Sequence, residues 1–367
     1  MPVILHRLLK GPRPLFRHLS ALQITDHSLY PRPVSTSATE NPQITTLPLQ
    51  TRFETWTQNL KPGFTPADVD AAIRAQFDPD LALHIFRWTA QQDNYKHNSV
   101  TYLTAIKALV AGGRYHQAET LIEEVIAGAC DMSVPLCNSI IRFCYNRMYA
   151  YESAFTLYRK MLHSDDCKPT LETYTMLFNY YHRKFNKFDV PHMLKPINKL
   201  TKEMKATGVI PDTFVLNIII KTHANCLEVD QAIAILREMG LYGCEPNGYS
   251  YGYIVKGLFA DGRVEQGLGF YKEMREKGLV LSGSTYTVVI CSLAMERRFE
   301  DAIELVFDML KNSMSPHLLT YKKVLEGMCR EGRGNEAFEL LEEWKGKDRL
   351  MGDKNYKVLL NGLYFVN

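Results

Sequence analysis

The chain has no apolar run approaching the ~20 residues that a membrane-spanning helix needs. Its eight cysteines contain no Cys-x-x-Cys pair. There is no His-Glu-x-x-His motif, and no Gly-rich loop of the kind that cradles phosphates. These absences remove the usual signatures of a membrane protein, a zinc site and a nucleotide-dependent enzyme. An excess of charge is missing too, once the N-terminus is set aside. Residues 1–40 hold five Lys/Arg and two Asp/Glu, which leaves 38 basic and 38 acidic residues in the remainder. Any nucleic acid must therefore be held by a local patch rather than by overall charge. Cys130, Cys137 and Cys144 are seven apart, near one face of a helix. No His or acid repeats beside them, so they read as reduced, buried thiols and not as metal ligands. No cofactor, no metal, no small-molecule substrate and no enzymatic activity is expected.

The first residues are of another kind. Arg7, Lys10, Arg13 and Arg17 precede the first acid, Asp26, and Val3, Ile4, Leu5, Leu8 and Leu9 give a short helix an apolar side. Basic, amphipathic and acid-poor is the composition of an organelle transit peptide. "RHLS" at Arg17–Ser20 resembles a mitochondrial processing site, so residues 1–19 read as a transit peptide to the mitochondrion rather than the chloroplast. Residues 20–50 read as a disordered linker without a core.

The rest is periodic. A small residue recurs at Ala232, Gly267, Ala302 and Ala337, a bulky one at Met239, Met274, Met309 and Trp344, and a tyrosine at Tyr251, Tyr286, Tyr321 and Tyr356, each column stepping by 35. Three columns at one period mean tandem repeats and a solenoid. Each unit carries two amphipathic helices, the first starting near the tyrosine and the second carrying the small and bulky residues. Gly262 and Gly332 suit the left-handed turn between them. Gly267 occupies the small column, where the two helices must cross closely. Gly269 has no such reason, and its helix is expected to be locally weak.

A 35-residue helical pair with this Tyr…Gly-Arg…Ala…Met…Pro-Asp pattern resembles the pentatricopeptide repeat of plant organelles, in its long (P-type) form. The tetratricopeptide repeat, with a period of 34 and a Trp-Leu-Gly signature, fits less well. The resemblance covers residues 99–367, as seven units at 99–133, 134–170, 171–212, 213–247, 248–282, 283–317 and 318–352, with a terminal half-unit at 353–367. Residues 51–98 read as a degenerate leading unit, "TPADVDAAIRAQF" followed by "DLALHIFRWTAQQDNYKHN". The third unit is longer, and Pro191 and Pro196 stand where its second helix should start, so a bulging insertion is expected there. In the last half-unit, most of Leu359, Leu360, Leu363, Tyr364 and Phe365 should cover the core of the seventh. No His-x-Glu with a downstream Cys-x-x-Cys follows, so a zinc deaminase is absent.

What the resemblance implies is an all-α, right-handed superhelical solenoid that binds single-stranded organellar RNA along its first helices, one base per unit. It acts by occupancy in RNA stability, processing or translation. The alternative is a structural or assembly protein of the mitochondrial ribosome or another complex, with protein partners. In the family the residue after the tyrosine and the last residue of the unit read the base edge, and the second residue packs on base faces. Carried over, the readers are Thr175 with Asp212 (guanine), Asn217 with Asn247 (a pyrimidine) and Asn138 with Thr170 (a weaker pyrimidine reader). Phe214 and Tyr249 are the stacking pair. Leu103 with Ser133, Gly252 with Ser282, Thr287 with His317, and Lys322 with Gly352 do not fit the code. Independently of the family, Lys107, Arg142, Lys221 and Lys256 share the ninth position, one turn beyond the readers on the same helix face. They would make a basic stripe for the RNA backbone, broken at Glu326.

Overall fold

In the computed structural model, residues 63–146, 151–184 and 190–366 are described. The transit peptide and linker read at residues 1–50 lie outside them, as do 51–62. The chain divides into Met1–Leu60 and Lys61–Asn367, and every described residue belongs to the second unit.

Among the described residues there is no strand. The α-helices, in chain order, are α1 (Pro66–Arg74), α2 (Pro79–Thr89), α3 (Ser99–Ala111), α4 (Tyr115–Ala127), α5 (Val134–Asn146), α6 (Tyr151–His163), α7 (Leu171–Lys184), α8 (Val190–Ala206), α9 (Thr213–Asn225), α10 (Val229–Glu238), α11 (Gly248–Ala260), α12 (Val264–Glu276), α13 (Gly283–Met295), α14 (Phe299–Lys311), α15 (Leu318–Arg330), α16 (Gly334–Lys347) and α17 (Asp353–Val366). Each odd helix packs on the even helix after it and on the odd helix of the next pair. The odd helices thus form one continuous layer, and the chain is an all-α repeat solenoid.

Local chemistry sets the helix ends. Asn98, Asp212, Asn247 and Ser282 cap α3, α9, α11 and α13 with their side chains, which satisfies amide groups that a helix N-terminus leaves open. Within a pair the turn is left-handed: Gly113, Gly262 and Gly332 have φ of 73°, 75° and 78°, a region that glycine enters without strain. The residue after each is an arginine that reaches back one repeat. Arg114 pairs with Asp80 at 2.5 Å, and Arg263 with Asp230 and Arg333 with Glu300 at 2.7 Å; Arg298, which follows Arg297 at φ 61° instead of a glycine, pairs likewise with Glu265.

The sequence columns form the core. Tyr251, Tyr286, Tyr321, Met239, Met274, Met309, Trp344, Ala232, Ala302 and Ala337 are all buried. The tyrosine hydroxyls find carboxylates on the following even helix or just past it: Tyr251 donates to Glu273 at 2.7 Å, Tyr286 to Asp308, and Tyr321 to Asp348 at 2.9 Å. Asp308 also accepts from Tyr271 at 2.6 Å. Such a bond between a buried hydroxyl and a charged acceptor is among the stronger ones, about 1.5–3 kcal/mol. Seven of the eight cysteines are buried, and burial pushes the thiols of Cys130 and Cys144 up to about 11 and about 12. At the C-terminal end Leu359 and Leu363 are buried and Tyr364 is exposed; the Phe365 side chain lies outside the described residues.

One expectation changes, and another gains its physical reason. Pro191 and Pro196 do not interrupt the chain: Val190–Ala206 is one helix of 17 residues, with Pro191 in its first turn and Pro196 inside it. The extra length of this stretch goes at least in part into a longer helix; residues 185–189 lie outside the described set. Gly267 is explained by one neighbour. A Cβ there would lie 2.7 Å from Cε2 and 2.8 Å from Cδ2 of Phe259. The equivalent of Phe259 is Ala224, Ala294 or Cys329 in the other units, and there the small column holds alanine. A Cβ on Gly269 would meet nothing within 4 Å.

The two glycines of α12 should therefore respond oppositely to alanine. Gly269→Ala should stabilise by about 0.5–1 kcal/mol through helix propensity alone. Gly267→Ala gains the same propensity but overpacks the Phe259 ring, a cost of about 1–3 kcal/mol. Denaturant titrations should rank Gly269→Ala above wild type and Gly267→Ala at or below it. In a Phe259→Ala background the second substitution should become favourable.

Candidate nucleic-acid interface

The layer of odd helices carries every residue expected to read or hold RNA, either within a helix or at its cap. Asn217 and Asn247 come together. Asn217 Nδ2 donates to Asn247 Oδ1 at 3.3 Å, and Asn247 caps α11 by accepting the N–H groups of Tyr249 and Ser250 at 3.0 and 3.1 Å. Asn138 and Thr170 also meet, at 3.3 Å, but Asn138 is buried and donates to Glu172 as well, at 2.9 Å. Thr175 and Asp212 are engaged separately. The Thr175 hydroxyl turns back to Leu171 O at 2.8 Å, and Asp212 accepts from Val215 N at 2.8 Å as the cap of α9. Phe214 and Tyr249 stand in solvent, 45% and 57% exposed. Both sit on the first turn of their helices, where Val100 and Leu319 are also exposed.

The ninth-position cations differ among themselves. Lys107 is exposed and Lys256 half-buried. Arg142 forms an ion pair with Glu172, which removes much of its charge from the stripe. Lys221 Nζ lies 3.0 Å from His182 Nε2 and 5.3 Å from the centre of the Tyr253 ring. Glu326 holds Lys322 at 3.4 Å and Arg330 at 3.8 Å. His182 and Tyr253 are thus parts of the surface that sequence reasoning missed, and Glu172, a poor stacking platform by its position, is an ion-pair partner instead. His182 lies seven residues beyond Thr175, two turns along the same face, and that spacing was the available signal.

Among the described residues, no group of three His, Cys, Asp or Glu side chains is placed to hold a metal ion. No helix there is long and apolar enough to cross a membrane.

A family model described as the PPR repeat family matches residues 211–260, and models described as the PPR repeat match 249–279, 284–314 and 312–345. A mitochondrial pentatricopeptide repeat-containing protein of Arabidopsis thaliana is 61% identical over 198 residues, which is 54% of this chain and 52% of that protein. A second such mitochondrial protein of the same plant is 30% identical over 197 residues, covering 53% and 44%. The chain thus spans about half the length of these relatives. Among solved structures, the pentatricopeptide repeat protein PPR10 from maize superposes with a TM-score of 0.59 over 86% of this chain and 42% of that one, at 20% identity.

His182 makes the surface acid-sensitive. Burial first, then the charge of Lys221, pushes its imidazole down to about 4, whereas an unfolded histidine titrates near ~6.5. Between those values the unfolded chain binds more protons. The contribution of His182 is therefore complete above the unfolded value and is lost as pH falls toward 4. Melting curves from pH 7.5 to 4.5 should show His182→Gln losing less stability on acidification than wild type. Parallel losses would rule this out.

Proposed function

We propose that the chain is a member of the pentatricopeptide repeat family, a mitochondrial protein that binds single-stranded RNA along its odd-helix layer and acts by occupying a transcript. The observation that carries the reading is the α9–α11 junction. There the largely buried Asn217 pairs with the cap Asn247 beside helix starts that carry the exposed rings of Phe214 and Tyr249, with Lys221 one turn beyond Asn217 and Lys256 on α11. Large apolar rings left in solvent beside hydrogen-bonding amides suit bases, which offer a face to stack on and an edge to read. Stacking of this kind is worth about 1–3 kcal/mol per base. Thr175 with Asp212, one unit before, is the proposed neighbouring reader. The mitochondrial assignment is supported by the two relatives and by the basic, acid-poor N-terminus.

A second reading draws on the positions that cannot read. Leu103 has no hydrogen-bonding side chain, Gly252 has none at all, and Arg142 is neutralised by Glu172. Few legible positions suit a protein that contacts RNA backbone and proteins inside an assembly such as the mitochondrial ribosome. Crosslinking in intact mitochondria followed by sequencing distinguishes the two: short messenger footprints support the first, and a ribosomal RNA footprint supports the second.

With purified protein and single-stranded RNA pools, Lys221→Gln with Lys256→Gln should weaken binding to all sequences. It should also lower the slope of log K against log salt by about 1.4, at ~0.7 per phosphate contact on single strands. If wild type binds no pool above background at moderate salt, the RNA-binding reading fails.

A further inference from the structure

Asn138 and Asn217 are each met by a hydroxyl from the next odd helix. Thr173 Oγ1 donates to Asn138 Oδ1 and Ser250 Oγ to Asn217 Oδ1, both at 2.6 Å. Thr173 and Ser250 are fully buried. Each occupies the third position of its helix, and each hydroxyl also accepts a backbone N–H at the helix start, from Thr170 at 3.1 Å and Asn247 at 3.0 Å. An N–H can only donate. The hydroxyl's single proton is thus left in need of an acceptor, and the amide oxygen supplies it; a contact of 3.2 Å to Asn247 Oδ1 is the longer alternative for Ser250. Asn247 Oδ1 already accepts two backbone N–H groups and can only accept again from Asn217 Nδ2. Both neighbours therefore demand the same orientation of the Asn217 carboxamide, with its oxygen on Ser250 and its nitrogen on the side of Asn247.

Other units hold the same slot without its asparagine. A Cβ on Gly252 would lie 3.4 Å from Thr285 Oγ1, the hydroxyl at the third position of α13. In the following unit the fifth residue is Thr287, whose hydroxyl turns back to Gly283 O at 3.0 Å. Thr320 Oγ1, at the third position of α15, is buried and has no hydrogen-bond partner. A buried hydroxyl without a partner is destabilising. The acceptor it lacks is the one that an asparagine supplies in two other units. Where the reader is Thr175, which satisfies itself, the third position of the next helix is Val215.

We propose that the third-position hydroxyl Ser250 is a positioning residue that sets the specificity of Asn217 in the preceding unit. It holds the carboxamide so that Asn217 offers its remaining N–H, not its carbonyl, to a base edge. Asn217 then favours bases that present a carbonyl, and it is barred from flipping to accept from an exocyclic amino group. This rests on the RNA-binding reading and adds to it a residue that touches no base.

The test uses the full chain and single-stranded RNA selected from a random pool, followed by single-base variants of the selected sequence. Ser250→Ala should keep binding to mixed RNA within about 3-fold and lose roughly 10-fold of discrimination at one base, the scale of one mismatched contact. Ser250→Thr should retain that discrimination, since Thr173 shows that threonine serves. A merely structural role would lower Tm and weaken all RNAs together, leaving the ratio between bases unchanged; that result in folded Ser250→Ala overturns the proposal. Wild type that binds RNA with no base preference overturns the base-reading premise and this inference with it. An independent arm does not depend on Ser250→Ala folding. Thr287→Asn gives Thr320 its missing acceptor, and should raise Tm by roughly 2 °C and add a base preference at one further position. A lower Tm, or no new preference, counts against the inference.

Discussion

Everything in this chain depends on how closely two helices of a pair can cross. The crossing is set at Ala232, Gly267, Ala302 and Ala337, where nothing larger than a methyl group separates the backbones from the opposite helix. A hairpin of two amphipathic helices cannot bury both apolar faces by itself, so each needs its neighbours. Close crossing brings the tyrosine of the odd helix over the even helix, where its hydroxyl meets Glu273, Asp308 or Asp348. The crossing thus fixes the angle between the helices, and the hydroxyl–carboxylate bond holds it. The odd helices then stand side by side with their first turns in register, and that register creates a surface with one slot per unit.

The same register decides where charge goes. The arginine after each left-handed turn reaches an acid of the previous even helix, so Arg263, Arg298 and Arg333 are used for stacking. Exposed pairs of this kind contribute at most about 1 kcal/mol each. Their consequence here is one of placement. They commit cations to the junctions between even helices, and Lys107, Lys221 and Lys256 are left on the odd layer. A chain with balanced charge can then still present a local positive stripe, although Arg142, held by Glu172, is effectively withdrawn from it.

The solenoid was legible because repetition multiplies weak signals: one alanine means little, but several columns of evenly spaced residues restrict the fold severely. Deviations from the repeat were less legible, because each depends on a contact from a distant position. Gly267 could be seen to be small, but the reason is the ring of Phe259, eight residues earlier on the other helix. Pro196 read as an interruption, yet helix α8 runs through it, since packing can outweigh a single lost backbone bond. At the candidate interface the pairs of types were readable, whereas their hydrogen-bond states were not. That Asn138 is buried against Glu172, or that Lys221 lies against His182, follows from side-chain geometry that no spacing encodes. One signal was present and went unused. A hydroxyl stands immediately before the tyrosine in "VTY", "ETY", "YSY", "STY" and "LTY", and it marks the third position in each of these units.

That third position exposes a constraint on any code written in such a protein. The last residue of a unit must cap the next helix, and good caps are Asn, Asp, Ser and Thr. Asp212, Asn247 and Ser282 all do so. The same residue is the proposed second reader of the base. Its alphabet is therefore limited first by the helix and only afterwards by the nucleic acid. His317 lies outside that alphabet and makes no side-chain cap on α15. A residue that caps the next helix and is also the proposed reader is thus constrained twice at each junction, first by stability and then by the nucleic acid.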